Sequence, residues 1–171
     1  NIDDCHIGNV GNHGVYISSS SAGSSVVSIQ GLTVDGCNTG VYIPSYHFPA
    51  MTWAGLHIYN SRSYPLYAGM AQYHVLGSVF VSDVNPRMLA VWDSNVYGNY
   101  TLQSFGVPYY LMNAVTIGNG YTLTLEPGVG LRFPEYGILS FGGNSTLNAV
   151  GTEALPITFY SSGAHNWKCI N

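Results

Sequence analysis

The chain repeats itself, and a repeat of this length leaves few folds open. Residues 29–43, IQGLTVDGCNTGVYI, hold two short alternating segments, Leu32-Thr33-Val34 and Val41-Tyr42-Ile43, around an Asp-Gly-Cys-Asn-Thr-Gly corner. The same pattern occupies residues 5–17, 56–68 and 79–91. Aligned on the first segment, the four units place Ile7, Val34, Ile58 and Val81 in one column, at spacings of 27, 24 and 23 residues. A second column holds Val15, Val41, Leu66 and Leu89. Side chains of a strand alternate, so if these columns line an interior, their immediate neighbours face solvent.

A period in this range also suits a leucine-rich repeat, which requires an LxxLxL strand, an Asn at a fixed position and often a helix. Here both segments of each unit are short, β-branched or aromatic, and bounded by Gly, Asn, Ser and Pro, and no window carries a 3.6-residue period. The local alternative is a hairpin closed by Asp35-Gly36, and the columns on either side of it argue against that. The expectation is an all-β parallel β-helix with almost no helix, its coils of three short strands and three corners stacked about 4.8 Å apart.

Composition then narrows the function classes. Only 7% of the 171 residues are charged and the formal charge is -4, with Lys168, Arg62, Arg87 and Arg132 as the cations. So few cations can hardly neutralise phosphates, which excludes nucleic-acid binding and disfavours anionic membranes. No run reaches the ~18 apolar residues of a membrane span, so membrane insertion is not expected. Three cysteines, Cys5, Cys37 and Cys169, without CxxC spacing fit neither a zinc site nor a complete disulfide framework. Cys5 is expected inward with Leu32 and Leu56, and Cys37 in another column with Val10, Ser61 and Val84, which argues against a Cys5–Cys37 bond. The sequons Asn99-Tyr100-Thr101 and Asn144-Ser145-Thr146 mark Asn99 and Asn144 as candidate glycosylation sites. The chain opens inside one repeat and ends as a new strand begins, as a piece of a longer polypeptide would.

The units IDDCHIGNVGNHGVYI and LTVDGCNTGVYI resemble repeats of right-handed parallel β-helix proteins of the pectin-lyase-like group, over residues 2–91. That group includes polysaccharide lyases, polygalacturonases, tailspikes and many non-catalytic surface proteins. From residue 92 to 108 the pattern lapses. Residues 114–162 are similar to the opening coils of secreted bacterial and archaeal β-helix domains, with a TLTIEPG-like strand and corner at 122–128, a Gly-containing strand at 138–141 and a GTxxxPITF segment at 151–159. Asn166-Trp167-Lys168-Cys169-Ile170 stands where such domains have W-G-G-I and departs from it at Lys168-Cys169. The resemblance implies a right-handed coil and an extracellular or cell-surface location. It also implies two tandem modules: 1–92 as the last coils of one, 93–108 as a linker or inserted loop, and 109–171 as the first coils of another.

The resemblance directs attention to acid–base chemistry, which the residues do not assemble. Asp3-Asp4 and Asn12-His13-Gly14 are similar to parts of the polygalacturonase set, but they share one coil, with no second acidic pair and no Arg-Lys segment. A pectate-type lyase needs stacked carboxylates for Ca²⁺ and a basic residue. Asp3, Asp4, Asp35, Asp83, Asp93, Glu126, Glu135 and Glu153 are instead scattered, with Asp35 and Asp83 read as corner residues bonding their own turns. His6, Thr33, His57 and Phe80 form an outward column. Its two histidines stand two coils apart, about 9.6 Å, too far to share a metal, and are expected to be solvated. His47, His74 and His165 fall in loops and receive no role. No catalytic residue, metal ligand or cofactor is assigned.

Tyr16, Tyr42 and Tyr67 each follow a core residue of the second column, so they are expected to stand outward as a stacked ladder. Such a ladder either braces the stack or offers ring faces to a sugar chain or a neighbouring protein, making these three the candidate ligand-binding residues. The expected function is a non-catalytic structural segment of an extracellular β-helix protein: an adhesin, stalk, filament or surface-layer component. Its expected partners are copies of itself or neighbouring modules end to end, or a polysaccharide. The alternatives are part of a carbohydrate-active enzyme whose catalytic coils lie elsewhere, and a glycan-binding module using the tyrosines.

Overall fold

The structure is a computed structural model and describes residues 2–18, 26–44, 50–163 and 166–171; His47 and His165 lie outside them. The chain is an all-β parallel solenoid that divides into two compact units, Asn1–Leu89 and Ala90–Asn171.

In the first unit the coils stack their strands into three sheets. The first sheet runs through β1 (Ile2–Asp3), β4 (Val26–Gln30) and β7 (Ala50–Ala54), the second through β2 (His6–Gly8), β5 (Thr33–Asp35), β8 (Leu56–Tyr59) and β10 (Val79–Ser82), and the third through β3 (His13–Tyr16), β6 (Thr39–Tyr42) and β9 (Leu66–Ala68). All pairings are parallel, and Ile7↔Val34↔Ile58↔Val81 and Val15↔Val41↔Leu66 are in register, as the sequence columns require. Val34, Ile58, Val41 and Leu66 are wholly or almost wholly buried. Each such side chain removed from water stabilises the fold by about 1.5–3 kcal/mol, which is why the columns hold the register.

Two columns of left-handed residues make the corners. Asp4, Gly31 and Gly55, with φ of 46°, 59° and 65°, turn the chain from the first sheet to the second. Asn9, Gly36, Asn60 and Asp83, with φ of 56°, 68°, 49° and 51°, turn it out of the second sheet. Gly reaches this region without a Cβ penalty, and Asn and Asp are the other residues that tolerate it. Asp35 therefore does not share the corner position of Asp83. It ends β5 opposite Tyr59, and its carboxylate accepts a hydrogen bond from Asn60 Nδ2 at 2.7 Å. The carboxylate links two coils through this bond rather than bracing its own turn.

One turn of helix, α1 (Met70–His74), interrupts the pattern and takes His74 out of the expected loop. Gly69 N donates to Gln72 Oε1 at 3.0 Å, buried Met70 and Tyr73 anchor the turn, and Tyr73 Oη donates to Leu66 O at 3.0 Å. Where the first sheet would receive a fourth strand, Leu76 makes a single bridge to Trp53.

Strand β11 (Leu89–Val91) crosses the division. The second unit then has one sheet of β12 (Asn95–Val96), β15 (Val115–Ile117), β18 (Ile138–Phe141) and β21 (Cys169–Ile170), a second of β13 (Tyr100–Leu102), β16 (Thr122–Leu125) and β19 (Thr146–Ala149), and a third containing β14 (Tyr109–Leu111), β17 (Gly130–Phe133) and β20 (Thr158–Ser161). Residues 93–108, read from sequence as a linker or inserted loop, thus carry two strands, with Tyr100↔Leu123 and Leu102↔Leu125 in register. The TLTLEPG segment forms β16 and a turn in which Val129 N donates to Glu126 O at 3.2 Å and Gly128 takes φ 85°.

Candidate functional site: two outward aromatic faces

The third sheet of the first unit turns its phenols outward as the alternation requires. Tyr16, Tyr42 and Tyr67 are in register, and their ring centroids are 5.6 Å and 4.5 Å apart with interplanar angles of 22° and 24°. His13 completes the group, stacked on Tyr42 at 4.3 Å and 13° and tilted against Tyr16 at 5.7 Å. Its Nδ1 is buried without a hydrogen-bond partner among the described residues. Period-two alternation puts His13 and Tyr16 on opposite faces, so the sequence does not announce this contact.

This geometry covers ring faces with other rings. Tyr42 has Tyr67 stacked on it, and also Tyr16 and His13, so its ring is covered, whereas Tyr16 at the end of the row is 57% exposed. Tyr42→Ala removes three ring contacts worth ~0.5–1.5 kcal/mol each, about 2 kcal/mol together. For a chain of this size that lowers Tm by about 4–8 °C, readable by circular dichroism. Tyr16→Ala, at a residue 57% exposed, is expected to lower it less.

The second sheet carries a different aromatic group. His6, Thr33, His57 and Phe80 form one outward row, and Gly8, Asp35, Tyr59 and Ser82 the other. The rings of His57, Tyr59 and Phe80 meet at 5.8–6.3 Å with tilts of 33–55°. His57 Nδ1 and Tyr59 Oη are 3.2 Å apart and share a hydrogen bond. His57, expected as a solvated side chain, is half-buried in this cluster, whereas His6 is exposed. The sequence column contained His57 and Phe80; the diagonal partner Tyr59 was missed, though its place two residues beyond His57 was a signal for it.

The other candidate groups do not converge. Asp3 and Cys5 are exposed, and Asp4 is a corner residue. Cys5, expected inward with Leu32 and Leu56, is instead exposed, and its Sγ donates to Asp3 O at 3.2 Å. Cys37 is fully buried and all three cysteines are free. Among the described residues no three His, Cys, Asp or Glu side chains gather as metal ligands would. Asn99 and Asn144 are exposed, and both serve the fold. Asn99 Oδ1 accepts from Thr122 N at 2.8 Å, and Asn144 takes φ 58° in a turn closed by Ser145 N donating to Gly142 O at 3.1 Å. Burial, and secondarily the Glu126 carboxylate, pushes the Tyr109 phenol well above its ordinary range, and its Oη donates to Gln103 O at 2.7 Å. Tyr109 is a core residue that stays protonated.

Compared with known protein families, with characterised proteins and with solved structures, the chain returns no match.

Proposed function

We propose that this chain is a non-catalytic structural segment of an extracellular β-helix protein, of the kind that builds an adhesin, stalk, filament or surface layer. The observation that carries the reading is the residue-by-residue register of the coils. In the first unit four strands of one sheet repeat the same inward column, the same outward rows and the same left-handed corner. Stacked coils satisfy their backbone hydrogen bonds from rung to rung, which leaves open edges only at the ends of a stack. End-to-end contact with copies or neighbouring modules follows from such edges, and the two tandem modules read from the sequence belong to this proposal. Use of Asn99 and Asn144 as glycan acceptors would accompany secretion.

The scattered carboxylates favour this reading over a lyase or glycoside hydrolase active within the chain. Imaging the parent protein on its cell surface tests it, together with incubation on polygalacturonate. Rods or a lattice without unsaturated product are expected; a soluble monomer that releases unsaturated uronates would sink it.

A further inference from the structure

We infer that the outward face of the β2–β5–β8–β10 sheet is a binding site for a neutral polysaccharide. A fixed carboxylate beside the rings separates this face from the tyrosine ladder. Sugar recognition by an aromatic residue needs a free ring face, because the C–H groups of a pyranose pack against the negative face of the π-system. Stacked at 22–24°, the ladder tyrosines cover their facing sides, and Tyr16 at the end of the row is the exposed ring among them. The rings of His57, Tyr59 and Phe80 meet tilted by 33–55°; His57 and Tyr59 are half-buried, and Phe80 is 54% exposed on the strand that ends the row.

Polar groups stand beside these rings in the same register. Asp35 lies opposite Tyr59 on the adjacent coil, and Asn60 holds its Oδ1 at 2.7 Å, leaving Oδ2 without an intramolecular partner among the described residues. A carboxylate fixed in this way accepts from sugar hydroxyls without first losing side-chain freedom. Gly8, opposite Asp35 on the next coil, leaves the surface open there: an added Cβ would lie 3.7 Å from His6 Nε2 and 3.9 Å from Asp35 O. Asp35 and Phe80 stand two coils apart, about 9.6 Å, so the ligand runs along the stacking direction as an oligosaccharide rather than sitting as a single ring.

Charge selects the class of sugar. The eight outward positions of this face include one carboxylate and neither Lys nor Arg. Asp35 repels a polyuronate, and no cation is present to offset that repulsion, whereas a neutral glycan meets only acceptors, donors and ring faces.

Affinity electrophoresis of the full chain tests this, with gels containing a soluble β-glucan, mannan or galactan, and polygalacturonate for comparison. Retardation is expected in at least one neutral gel and none in polygalacturonate. Phe80→Ala and Asp35→Asn should each weaken the retardation by roughly tenfold, a change of about 1.4 kcal/mol. Tyr42→Ala should retain it, and Phe80→Ala should melt within a few degrees of the wild type because its ring is already half in water. Migration unchanged in every neutral gel would overturn the inference, as would retardation that survives Phe80→Ala or is strongest in polygalacturonate. The structural proposal would stand in each case, since imaging tests it separately.

Discussion

Gly40→Ala is expected to destabilise the first unit by about 3 kcal/mol and to lower Tm by about 6–12 °C. Gly40 is buried in β6, and a Cβ built there would lie 2.5 Å from Pro65 O and 2.7 Å from Ile58 Cγ2. The side chain of Ile58 belongs to the packed central column. The carbonyl of Pro65 accepts from Val41 N at 3.0 Å, so it cannot retreat without breaking the ladder between coils. A methyl group here therefore pushes on two structures held in register, and small-to-large changes of this kind cost about 1–3 kcal/mol even where side chains alone must yield. Gly11→Ala is the control, because nothing lies within 4 Å of its added Cβ and its effect should stay within about 0.5 kcal/mol. Thermal and urea melts followed by circular dichroism measure both. Equal melting of the two variants would show that the coil carrying Pro65 shifts freely, contrary to the register described above.

Phe133→Ala is expected to cost about 4 kcal/mol in the second unit, and Tm to fall by about 8–16 °C. Phe133 is fully buried, stacked on Trp167 at 4.5 Å and 16° and on Phe159 at 6.5 Å and 29°. Truncation removes the transfer energy of the ring and leaves a cavity that the flanking rings only partly fill. Emission offers a second readout. Of the three tryptophans in the chain, Trp53 and Trp92 are buried, whereas Trp167 is half-buried against the deleted ring. A red shift at temperatures below the melting transition would place the loss at Trp167; an unchanged spectrum with unchanged stability would mean that the stack contributes little.

The columns of Ile7, Val34, Ile58 and Val81 could be read directly, because a solenoid repeats one environment and β-branched residues recur wherever the interior recurs. Both corner columns were also written in the chain as Asn, Asp and Gly, although their left-handed conformation emerges only from the backbone. Residues 92–108 were not legible. Strands as short as β12 and β13 contain too few alternating residues to show a period, and only pairing with β15 and β16 identifies them. The α1 turn was missed for a similar reason: five residues do not establish a helical period, and burial of Met70 and Tyr73 decides the conformation there.

The candidate sites divide in the same way. That Tyr16, Tyr42 and Tyr67 share one face followed from alternation, since a residue next to a buried neighbour in a strand has only one side to occupy. How the rings meet did not follow, because side-chain torsions set the stacking. The sequence by itself determined the repeat, the inward columns and the scarcity of charge, because these are one-dimensional properties of a chain that coils with a nearly constant period. Tertiary structure alone decided which aromatic faces remain free. Ring tilt depends on contacts between residues more than 20 positions apart in the chain, such as Tyr59 and Phe80, and on the cross-coil bond from Asn60 that holds Asp35 beside them.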